Sequence, residues 1–89
     1  MMNTTYKGLH VSWWAVPTDE RATVTQAWEA CVNKPICSLP ERLAMIKIVE
    51  DYNLYGGQKL CPSCKDGFTD AMNLIGICVA RWKEVASND

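Results

Sequence analysis

The chain has 89 residues, a formal net charge of −1, 48% apolar residues and 21% charged residues. This length and balance predict one globular domain and exclude disorder as the main state. Only Lys59 and Lys65 cluster among the basic residues, which argues against a nucleic-acid partner. No apolar run reaches the roughly 20 residues that span a bilayer, so we expect no membrane partner. No signal-peptide pattern opens the chain, and we therefore expect a cytoplasmic protein.

The N-terminal segment, residues 1–17, has two competing patterns. One pattern predicts a strand, because apolar residues stand at every second position: Leu9, Val11, Trp13 and Ala15. The other pattern predicts a short helix, because apolar residues stand at helical spacing: Tyr6, Leu9, Trp13 and Val16. We favour the helix, because a lone strand would need a partner from a two-fold dimer or from a foreign sheet edge.

A first helix is predicted over residues 18–34. Thr18 is the expected N-cap, and Asp19 and Glu20 place negative charge in the first turn, where the helix dipole favours it. One apolar stripe faces the core and consists of Val24, Ala27, Trp28 and Cys31. The helix should end before Pro35.

A second helix is predicted over residues 38–54, with Ser38 and Glu41 as a capping box. Its apolar residues form two adjacent ridges, which predict burial on two sides. The first ridge is Leu39, Leu43 and Ile46, and the second is Met45, Ile48, Val49 and Tyr52.

A third helix is predicted over residues 66–86, capped by Asp66 or Thr69. Gly76 costs about 1 kcal/mol inside a helix and therefore indicates a close crossing with another helix. The expected fold is a small all-α domain of three helices, or of four if the N-terminal segment is helical. Residues 1–17 would pack on a helical domain formed by residues 18–89.

Five cysteines include the motif Cys61-Pro-Ser-Cys64, whose two thiolates can face one ion. Cys31 and Cys37 are the second candidate pair, because the Asn-Lys-Pro turn between them can bring them together. These four cysteines would form one structural zinc site, with Cys78 and His10 as reserve ligands. Two alternatives stay open: free thiols with mainly packing roles, and disulfides or redox chemistry.

The tetrapeptide Cys61-Pro-Ser-Cys64 resembles the active-site motif of glutaredoxin-like oxidoreductases. The resemblance implies thiol–disulfide exchange on a fold with a strand before the motif and further strands after it. Here largely helical segments precede the motif and one predicted helix follows it, so the sequence argues against that fold.

Trp13 and Trp14 are adjacent, so one small core cannot easily bury both rings. We expect one indole to be exposed as an anchor for a partner, with His10, Tyr6 and Tyr55 at its rim. The alternative is that both rings cover the open end of the bundle. Core positions are expected for Trp28 and Trp82.

No arrangement of residues in the sequence is typical of catalysis, so we do not expect an enzyme. The favoured function is a small protein-binding module that regulates or inhibits a larger protein machine, of the kind found among phage and mobile-element accessory proteins. A homodimer is an alternative assembly. The alternative functions are a zinc-stabilised module that contacts protein or nucleic acid, and a redox-sensitive thiol protein.

Overall fold

A computed structural model describes residues 4–61 and 65–87, and these residues are mostly helical. The three α-helices are α1 (Thr18–Val32), α2 (Leu39–Asp51) and α3 (Lys65–Ser87). Before them come strands β1 (Thr5–Tyr6) and β2 (Leu9–His10) and a 3-10 helix (Trp13–Ala15). α3 packs against both other helices and most extensively against α2. The all-α prediction is thus right for the three helices and incomplete at the N-terminus.

The N-terminal segment is a β-hairpin followed by a single 3-10 turn. Lys7 and Gly8 both have positive φ, 50° and 84°, as in the type I′ turns that form two-residue loops between the strands of a hairpin. β1 and β2 pair antiparallel across this turn. The prediction of a short helix is therefore wrong for the hairpin residues. Strand β2 is not a lone strand, because it pairs with β1, which immediately precedes it.

The residues after the hairpin enter the same core as the helices. Val11 and Val16 are fully buried. Between them, the Ser12 backbone N–H donates a 2.9 Å hydrogen bond to the carbonyl of Leu54, in the loop after α2. The segment that carries Trp13 and Trp14 is consequently fixed at both ends and in the middle.

Two of the predicted helix starts need correction. α1 begins directly after Pro17, so Thr18 is the first helical residue rather than the N-cap, and no side chain caps this end. α3 begins at Lys65, which places Asp66 and Thr69 inside the helix. The acidic residues remain in the first turns, where the helix dipole favours them.

The capping box of α2 is present as predicted. The Ser38 hydroxyl accepts a hydrogen bond from the Glu41 N–H, and the Glu41 carboxylate accepts one of 2.9 Å from the Ser38 N–H. Lys34 forms an ion pair with the same carboxylate. The hydrogen bond from Lys34, followed by those from Ser38, lowers the pKa of Glu41 to about 2.

This lowered pKa predicts a loss of stability in acid. A free glutamate has a pKa of about 4.3, so folding favours the charged form, and the benefit disappears as pH falls from about 5 towards 2. Urea unfolding at pH 7, 4 and 2.5 should show a smaller acid loss in Glu41→Gln than in the parent. Glu29→Gln on the exposed face of α1 is the control and should keep the parental acid loss. Equal acid losses in the parent and in Glu41→Gln would contradict the prediction.

The core lies between α3 and the other described elements, which cover α2 on one side only. Leu39 and Leu43, expected in the core, are exposed, because nothing in residues 4–61 and 65–87 covers that side of α2. The buried side chains of the helices are Val24, Cys31, Met45, Ile46, Val49, Ala71, Leu74, Ile75, Cys78, Val79 and Trp82. Within the described ranges, no helix is long and apolar enough to cross a membrane.

Gly76 lies at a close crossing of α1 and α3, as predicted. A Cβ atom at this position would lie 3.1 Å from Cζ2 of Trp28, which is tighter than most real Cβ contacts. The Trp28 indole N–H donates a 2.9 Å hydrogen bond to the carbonyl of Met72, one turn earlier in α3. Glycine therefore lets the indole lie directly on the α3 backbone.

Candidate functional site

Trp13 and Trp14 form the 3-10 helix and have different surroundings. Trp14 is 59% exposed, whereas Trp13 is half-buried against the core. Their rings meet edge to face with centroids 5.7 Å apart. One indole of the pair is thus at the surface, as expected from the sequence, and it rests on the other.

α3 holds Trp13 in place through two contacts. The indole N–H of Trp82 donates a 2.8 Å hydrogen bond to the carbonyl oxygen of Trp13. The guanidinium of Arg81 lies 4.9 Å from the centroid of the Trp13 ring, within the range of a cation–π interaction. Arg81 and Trp82 both belong to α3, so the longest helix fixes the position of Trp13, which in turn contacts the exposed Trp14 indole.

The residues predicted at the rim of this surface differ in how exposed they are. His10 is exposed on β2. Tyr6 is half-buried, and its hydroxyl donates a 2.7 Å hydrogen bond to Asp70, which raises the pKa of Tyr6. Tyr55 is buried, with its ring 5.9 Å from that of Tyr6. Tyr55 is therefore a core residue and not a rim residue, and Tyr6 chiefly attaches the hairpin to α3.

A second group of exposed apolar side chains lies where α1 ends and α2 begins. Sequence reasoning placed two of its members in the core and gave Ile36 no role. Ile36 is the most exposed large apolar residue described, at 79%. The sequence signal for the exposure of Ile36 was its position between Pro35 and the N-cap Ser38, in a loop between two helices. The group consists of Val32, Ile36, Leu39 and Leu43.

Cys31 and Cys37 lie side by side, brought together by the Asn-Lys-Pro turn as expected. The Cys37 thiol donates a 3.5 Å hydrogen bond to the carbonyl of Cys31, and both thiols are free and buried. Burial raises the pKa of the Cys31 thiol, and a hydrogen bond with the Cys37 side chain raises it further. Both thiols line a cleft of about 260 Å³ bounded by α1, α2 and the start of α3.

The four-cysteine zinc site stays a prediction. Cys64 lies outside the described residues, and Cys61 is disulfide-bonded, so in this structure its sulfur is not a thiolate ligand. Across residues 4–61 and 65–87, no three His, Cys, Asp or Glu side chains are grouped so as to hold a metal ion. Cys78 is buried in α3, and burial raises its pKa to about 12.

The structure therefore offers two candidate sites of different chemistry: an exposed indole on a fixed support, and a sulfur-lined cleft beside exposed aliphatic side chains. Comparisons with protein-family models, with curated proteins and with solved structures gave no match to this chain.

Proposed function

We propose that this protein is a small protein-binding module, with a binding rather than a catalytic role, and that Trp14 is its main anchor. The exposure of Trp14 is the observation that carries the proposal. Tryptophan is enriched among the residues that dominate binding free energies, because it buries a large rigid surface and has few rotamers to fix.

The support of Trp14 favours binding in a second way. The turn that carries it lies between the fully buried Val11 and Val16, and Trp13 beneath it is bonded to α3. A preorganised anchor loses little conformational entropy on binding, so more of the burial free energy appears as affinity. The proposed partner is a protein with an apolar pocket for one indole. Regulation or inhibition of a larger protein machine is the role we propose for this contact.

Photo-crosslinking tests the location of the surface. Benzoylphenylalanine is placed at position 14 in one variant and at position 39 in another, since Trp14 and Leu39 are equally exposed at 59%. Both variants are irradiated in an extract of the organism that encodes the chain. We expect position 14 to give a discrete adduct that excess unlabelled parent chain suppresses, and position 39 to give none.

Two other outcomes of this experiment are informative. An adduct of two chains in the purified protein, again from position 14 only, would identify the partner as a second copy. A suppressible adduct from position 39 and none from position 14 would contradict the proposal and assign binding to the exposed group of Val32, Ile36, Leu39 and Leu43.

A further inference from the structure

Three sulfur-containing residues line the cleft between α1, α2 and α3: Cys31, Cys37 and Met72. The Cys37 thiol donates a hydrogen bond to the Cys31 carbonyl, and both thiols are free. The third residue, Met72, comes from α3, so the three residues border the cleft from three parts of the fold. Thiolate and thioether sulfurs are soft ligands, which select soft metal ions.

The same cleft holds a buried hydrogen-bond donor without a partner among the described atoms. Arg42 lines it, and the Nε atom of Arg42 is buried without a hydrogen-bond partner among the described atoms. A buried donor left unsatisfied costs about 1–3 kcal/mol, so the site calls for an acceptor. Lys34 also lines the cleft, but its ammonium group is paired with the Glu41 carboxylate. An anionic group in the cleft would offer the Arg42 N–H an acceptor.

We propose that Cys31, Cys37 and Met72 bind one Cu(I) ion in this cleft. Cu(I) accepts two or three sulfur ligands, whereas structural zinc requires four ligands, and the described residues provide no such group here. This proposal is independent of the role of Trp14.

The binding step is balanced without an electron transfer. Each of the two S–H bonds breaks, its proton passes to solvent, and each sulfur forms a bond to the metal, which enters and stays as Cu(I). Two thiolates and one monovalent cation leave a complex of charge −1. The Arg42 N–H then lies beside an anion, as hydrogen-bond donors outside the ligand shell do at other metal sites.

Competition with the chromophoric Cu(I) chelator bicinchoninate, under anaerobic conditions, measures the affinity. We expect one Cu(I) per chain, and a loss greater than about 100-fold in Cys31→Ser and in Cys37→Ser, since even outer-shell changes cost about 10–100-fold. Met72→Leu and Arg42→Gln should each weaken binding about 10-fold or more. Circular dichroism verifies that each variant stays helical. If a cysteine variant unfolds, the Met72 and Arg42 variants still provide the test.

Two controls separate this site from the other cysteines. Cys78→Ser removes a buried free thiol that does not line the cleft and should leave the affinity unchanged. Cys61→Ser/Cys64→Ser removes the second cysteine pair and should retain one Cu(I) per chain. Loss of Cu(I) from this double variant with retention in Cys31→Ser would overturn the proposal. Displacement of Cu(I) by equimolar Zn(II), or unchanged affinity in both Met72→Leu and Arg42→Gln, would also overturn it.

Discussion

Trp82→Ala is expected to unfold most of the protein at room temperature. The side chain is only 7% exposed, and truncation of a buried tryptophan costs about 3–5 kcal/mol. A domain of this size has a total stability of only a few kcal/mol. The loss should appear as a reduced helical signal in circular dichroism and as a much lower urea midpoint. A midpoint close to that of the parent would contradict the placement of Trp82 in the core.

Trp82→Phe separates the two functions of this side chain. Phenylalanine keeps much of the buried ring but removes the N–H that donates to the Trp13 carbonyl. The net cost of one such hydrogen bond is about 1 kcal/mol, to which the lost volume adds. We expect a folded variant of intermediate stability. Trp82→Phe should also loosen the turn that carries Trp14, which iodide quenching of tryptophan fluorescence can detect.

Gly76→Val is expected to destabilise the protein by about 1–3 kcal/mol through overpacking, although valine is a better helix former than glycine. Even its Cβ would lie 3.1 Å from the Trp28 ring. The branched side chain has one preferred rotamer in a helix and cannot turn aside. Trp28 cannot withdraw without losing its hydrogen bond to the Met72 carbonyl. Urea unfolding measures the effect.

A double-mutant cycle with Trp28→Leu tests this explanation. If the clash is the cause, valine at position 76 should cost at least about 1 kcal/mol less in the Trp28→Leu background than in the parent. Gly76→Ala, which adds only the Cβ, is the matched control and should be milder. Additive effects of Gly76→Val and Trp28→Leu would show that the two residues are not in contact.

The helices could be predicted from periodicity and capping, but the hairpin could not. The capping box at Ser38 and Glu41 is a local signal, and it is present in the fold. The turn at Lys7 and Gly8 has the positive φ values of a hairpin, yet Lys-Gly lacks the asparagine or aspartate that usually identifies such a turn. The alternation over residues 9–15 therefore predicted a strand that is present only at Leu9–His10, and its partner was hidden by a weak turn signal.

Exposure was harder to predict than secondary structure. Leu39 and Leu43 have helical spacing, and periodicity alone cannot tell whether a neighbouring element covers that face. By contrast, the steric argument on adjacent indoles identified an exposed tryptophan, because adjacent residues do not share one face of a strand or of a helix. The choice of Trp14 over Trp13 depends on the Trp82 hydrogen bond, a contact 69 residues along the chain.

The residues that line the cleft could likewise be predicted only in part from the sequence. The spacing of Cys31 and Cys37 across a proline turn predicted their proximity, which the structure confirms. The participation of Met72 and Arg42 depends on how α3 packs against α1 and α2, and no local pattern encodes it.

Competition by unlabelled Trp14→Ala in the crosslinking experiment tests the central claim most directly. Its stability should fall by no more than about 1 kcal/mol, the usual worth of its edge-to-face contact with Trp13. An anchor contributes at least about 2 kcal/mol to binding, so half-suppression of the adduct should require at least about 30-fold more of the variant than of the parent. A folded Trp14→Ala chain that competes as well as the parent would contradict the account.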